Sequence, residues 1–141
     1  MNYLPYALLA LLAYSFVAPL MRQATTGADA IPSDVAALVA NSMLVIATVG
    51  VIALNGDSVL EHAKKPEMRL VVSAGVCLAV GILAYYRALA RGPVSVVTPI
   101  FGLFLVVSSL VGVVVLNEPL TARKALGVVF AVIAVVLVAG R

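Results

Sequence analysis

The chain is 141 residues long, 64% hydrophobic and 11% charged, whereas a soluble domain is roughly half apolar and about a quarter charged. So few charges cannot cover a water-facing surface, which excludes a soluble globular class and places the chain in lipid. The formal net charge of +3 is scattered, and no basic stripe gathers on one face, which argues against a nucleic-acid partner.

About 20 apolar residues cross a ~30 Å hydrocarbon core, and five runs read as spans. The first is Tyr3 to Leu20. It has no positively charged leading region and no clear small-residue cleavage site, so it reads as a retained helix rather than a signal peptide. Pro32-Ser33-Asp34 offers a cap for the second span, Val35 to Leu54, and Asn55-Gly56 is a turn signal closing it. Ser58-Val59-Leu60-Glu61 has the form of a capping box opening a short polar helix that Pro66 stops. His62 falls on that short helix and is read as solvated.

The third span is Leu70 to Leu89 and the fourth Pro93 to Leu116, with Pro93 expected at the first helical position. The fifth, Ala125 to Ala139, takes Thr121 as its cap. All five are expected to be helices, because lipid offers backbone groups no other partner and barrel strands would alternate polar with apolar residues. The fold class is therefore an all-α membrane protein of five transmembrane helices, in one domain over residues 1–141.

With five spans the termini face opposite sides. Lys64, Lys65, Arg69, Arg123 and Lys124 fall on one side, Arg22, Arg87, Arg91 and Arg141 on the other. The bias that normally sets orientation is thus nearly absent. This leaves two readings open, a weakly fixed orientation with the amino terminus inside, and dual topology.

Polar content within the spans is mild. Ser15, Asn41, Ser42, Tyr85, Thr98 and Ser108 are typical, and such groups commonly bond to backbone or to a neighbouring helix. Asn41, with its amide, is a larger polar group and needs a partner or a wet cavity. Pro99 lies inside the fourth span, where it removes the donor to the Ser95 carbonyl and favours a kink. Thr98, Pro99 and Gly102 then surround irregular backbone of the kind that lines transporter cavities. Ser108 with Gly112, Gly75 with Ala79, and Gly127 with Ala131 are small-residue pairs that let helices approach.

The spans hold no central acid. Asp29, Asp34, Asp57, Glu61 and Glu67 sit in loops or at their edges, and Glu118 borders the fourth span only at its end. Proton-driven exchange of organic cations needs a carboxylate well within the membrane. Glu118 reads instead as an interfacial loop anchor near the start of the fifth helix. There is no Cys/His cluster, phosphate loop or nucleophile–base pair, so no enzyme, metal site or cofactor is expected. The lone Cys77 reads as a small buried hydrophobe rather than a nucleophile or ligand.

Tyr85-Tyr86-Arg87-Ala88-Leu89-Ala90, Pro93-Val94-Ser95-Val96-Val97-Thr98-Pro99, Asn117-Glu118-Pro119-Leu120-Thr121 and Gly127 together resemble the EamA domain of the drug/metabolite transporter superfamily. The chain departs from that pattern at Asn117, where glycine is usual. The resemblance implies a five-helix repeat that commonly occurs in twos, as inverted halves around a central site. A single repeat then implies a partner. The candidates are a homodimer of oppositely inserted copies or a different half-size chain.

The function implied is a half-size exporter or facilitator of small organic metabolites, amino acids or related compounds among them, working in the cell membrane by alternating access. Ser15, Asn41, Tyr85, Thr98, Pro99 and Gly102 are the candidates for the substrate path. Two other classes remain open, a non-transporting membrane subunit and a component of a lipid or lipid-carrier flippase.

Overall fold

A computed structural model describes residues 3–140 and consists of helices α1 (Leu4–Ala24), α2 (Ser33–Asn55), α3 (Val59–His62), α4 (Met68–Arg91), α5 (Val94–Val115) and α6 (Ala122–Ala139). All but the single turn of α3 are long and apolar enough to cross a membrane. Arg141, counted above in the charge balance, lies outside the described residues. The chain divides into two units, one running to Ala90 and one starting at Arg91.

In the first unit, α1 continues through Pro19 to Ala24, one turn beyond the run read from the sequence. Lipid explains the continuation: leaving the helix would strand more backbone groups than the one bond Pro19 removes. α2 opens after Pro32, whose extended backbone (φ −53°, ψ 134°) leads into Ser33. It closes at Gly56, which adopts a left-handed φ of 73°. That conformation lets the N–H groups of Gly56 and Asp57 both donate to the Ile52 carbonyl, satisfying an oxygen the helix end leaves over. The Ser58 hydroxyl accepts from the Glu61 N–H at 3.4 Å, which starts α3.

Buried residues of this unit gather at one end. They are Ala18, Met21 and Thr25 at the end of α1, Ala36 and Ala37 at the start of α2, and Tyr85, Tyr86 and Leu89 near the end of α4. These three helix ends share one membrane side, as alternating spans require. Leu89 is fully enclosed there. Away from this end the helices are exposed, and no more than 11% of the most apolar 18 residues of any span is buried. In water such surface would be untenable; in hydrocarbon it is already solvated.

The second unit is an α5–α6 hairpin. Pro93 is the cap residue of α5 (φ −66°, ψ 141°) rather than its first helical residue. The helix runs unbroken through Pro99. At its far end Asn117 takes φ 56°, the one non-glycine left-handed residue among the described residues. Asparagine tolerates this region better than most side chains. The turn brings the N–H groups of Leu116 and Glu118 onto the Gly112 carbonyl, at 3.1 and 3.2 Å. Thr121 then caps α6 by accepting from the Lys124 N–H at 3.3 Å. Along α6, Ala125, Val128, Ala131 and Val135 are the half-buried positions, and their spacing of three and four residues is one helical face.

Candidate functional site

Polar side chains of the spans mostly turn onto their own helices. Ser15 Oγ donates to the Leu11 carbonyl at 2.7 Å, and Asn41 Nδ2 to the Ala37 carbonyl at 2.7 Å. Ser42, Thr48, Ser73 and Ser109 repeat the pattern four residues back. This is the local back-bonding that hydroxyls adopt in apolar surroundings. A solute at Ser15 would therefore meet lone pairs rather than a free proton. At Asn41 that bond uses one amide N–H and leaves the amide oxygen and the second N–H.

Ser15 is exposed, Asn41 half-buried, and Tyr85 buried with its ring centroid 6.0 Å from that of Tyr86. All three belong to the first unit. Thr98, Pro99 and Gly102 are half-buried in the second. A Cβ built on Gly102 meets no heavy atom within 4 Å, so open space adjoins the helix there. Thr98, Gly102, Leu105, Ser109 and Gly112 are spaced by four, three, four and three residues, which places them on one face of α5. Taken one by one in the sequence, Thr98, Gly102, Ser109 and Gly112 do not show the stripe that joins them through Leu105.

Gly75, Ala79, Ser108 and Gly127 are exposed and Ala131 is half-buried. No heavy atom comes within 4 Å of a Cβ built on Gly75 or Gly127. Gly112 is buried, and what covers it is Glu118, a residue of its own hairpin. The Glu118 carboxylate lies past the end of α5, 3.7 Å from Lys124 Nζ, with both side chains about half exposed. Lys124 also donates to the Pro119 carbonyl at 3.2 Å.

Two cations organise the closed end of the first unit. Arg87 donates twice to Asp34, Nε to Oδ1 and Nη2 to Oδ2, each at 3.0 Å. Arg22 Nη1 donates to the Leu89 carbonyl at 2.6 Å. The sequence explains why that carbonyl needs a donor. Four residues on stands Pro93, which has no N–H to give. Asp34, read from the sequence as part of a cap, instead reaches across to α4. Among the described residues, no group of three or more His, Cys, Asp or Glu is placed to hold a metal ion.

A family model for the EamA-like transporter family matches residues 1–140 and so runs through both units. Neither a search of curated proteins nor one of solved structures gives a match.

Proposed function

Because the chain belongs to the EamA-like transporter family, we propose that it moves small organic metabolites across the cell membrane, as a five-helix repeat paired with a second, oppositely inserted copy. The family is one of membrane transporters, and the chain is an integral, multi-pass membrane protein. The observation that carries the pairing is the near-even division of Lys and Arg between the two sides, five against four, which suits insertion in both orientations.

Within the second unit, the path is assigned to Thr98, Pro99 and Gly102. Pro99 withholds a donor from the Ser95 carbonyl, and Gly102 leaves the adjoining space open. Both features suit a neutral or zwitterionic solute, which needs dipoles rather than a compensating buried charge. Asn41 is the corresponding candidate of the first unit. The acids of the chain lie at span ends or in loops, which favours facilitated export over proton-driven exchange.

Purified protein in liposomes, loaded with a panel of radiolabelled amino acids and related metabolites, tests this reading. Wild type should release at least one of them down its gradient, and Thr98→Val should slow that release. A chain that moves none of the panel, or whose two termini are each labelled from one side only in every copy, is not the paired transporter described.

A further inference from the structure

We propose that the groove between α5 and α6 seats one chain of a membrane phospholipid carrying an ethanolamine-type headgroup. The groove holds about 350 Å³. Leu105, Ser109 and Val113 of α5 and Val128 of α6 form its walls, and Glu118 and Lys124 stand at its mouth. Leu105 to Val113 is eight residues, roughly 12 Å along the helix. The groove therefore runs from the membrane interface into the hydrocarbon, the direction a lipid chain takes.

Its size selects the occupant. A helix of a second copy is about 10–12 Å across with side chains, too wide to sink between α5 and α6 and able only to lie across the groove. An acyl chain is thin enough. The walls agree, since Ser109 is the polar side chain below the mouth and its proton is already given to the Leu105 carbonyl at 2.9 Å. A polar solute would leave water for little in return, while apolar methylenes lose nothing.

Charge selects the headgroup. Glu118 and Lys124 present opposite charges 3.7 Å apart, both about half exposed, and they flank the end of α5 and the start of α6, where an interfacial position is expected for charged residues. Phosphoethanolamine carries the complementary pair, an ammonium with N–H donors for Glu118 and a phosphate for Lys124. Phosphocholine keeps the phosphate but has no N–H to donate. Phosphoglycerol keeps the phosphate and brings no cation, so Glu118 repels it. The seat needs only the membrane and the α5–α6 hairpin, and does not depend on what the protein transports.

Native mass spectrometry of the purified full chain reads this directly, in mild detergent with equimolar phosphatidylethanolamine, phosphatidylcholine and phosphatidylglycerol. Wild type should retain phosphatidylethanolamine over both others by about fivefold, the scale of one exposed charge contact. Glu118→Gln should abolish the preference over phosphatidylcholine, and Lys124→Gln should lower retention of all three. Val128→Trp should fill the groove and remove bound lipid. Equal retention of the three lipids by wild type, or an unchanged preference in Glu118→Gln, overturns the proposal even if Val128→Trp fails to fold. Disulfide-linked dimers formed through Ser109→Cys in a Cys77→Ser background would show a second copy in the groove, and overturn it too.

Discussion

Gly112 leaves open the space that Glu118 occupies: the carboxylate carbon lies 3.4 Å, and its oxygens 3.5 and 3.6 Å, from where a Cβ on Gly112 would stand. The Gly112 carbonyl meanwhile accepts from the Glu118 and Leu116 N–H groups. One small residue thus supports both the backbone and the side chain of the turn that follows its helix. Glu118 is held back over the end of α5, within reach of Lys124.

Substitutions at Gly112 should separate by size. In Gly112→Ala the added methyl makes ordinary contact, and helix propensity improves by about 1 kcal/mol, so stability should stay within about 1 kcal/mol of wild type. Gly112→Val must push the carboxylate aside and should cost about 1–3 kcal/mol. Unfolding in mixed micelles by increasing SDS measures both. Equal effects of the two would mean Glu118 is not seated there.

Asn117 should follow its backbone. Asn117→Gly removes any penalty of the left-handed φ and should be neutral or slightly stabilising. Asn117→Ile places a β-branched side chain where it is strained, at a cost of about 1–2 kcal/mol. The same unfolding assay ranks them, and a harmless isoleucine would be inconsistent with φ 56°.

Arg22 should matter because Pro93 follows Leu89 by four residues. Arg22→Met leaves the Leu89 carbonyl without its charged donor, a loss of about 1–3 kcal/mol. Replacing Pro93 by alanine in that background supplies an N–H in sequence and should recover part of the loss. Amide hydrogen exchange over residues 85–91 reads the effect locally. No change in Arg22→Met would remove Arg22 from this role.

Asp34 and Arg87 should behave as a pair. Asp34→Asn and Arg87→Gln should each loosen the closed end of the first unit, and the double variant should be little worse than either single one. Because both groups are half exposed, the coupling should shrink as salt rises. A double-mutant cycle at low and high ionic strength checks this. Strict additivity would mean the two charges act separately.

Much of this molecule is local and therefore legible along the chain. Hydropathy over about 20 residues locates a span whatever its neighbours do. The Gly56 turn, the Ser58 and Thr121 caps and the position of Glu118 beyond the end of α5 depend on residues at most a few places apart. The stripe from Thr98 to Gly112 is equally local, since it follows from helical spacing through Gly102, Leu105 and Ser109. Pro93 likewise announced that the Leu89 carbonyl would lack a donor.

What answered that carbonyl was not announced. Arg22 stands 67 residues away from Leu89 in sequence, and Arg87 stands 53 from Asp34. Nothing in composition or periodicity pairs groups so distant, because the pairing depends on which helix ends meet in space. For the same reason a small residue alone could not say what it makes room for. Gly112 read as a surface for another helix, and the fold placed there the carboxylate of its own turn. The sequence by itself determined five helices, the lipid around them and the family they belong to, through hydrophobicity and short-range hydrogen bonding. Only the tertiary structure decided which charges join and which spaces stay open, since both depend on where separate helices come to lie.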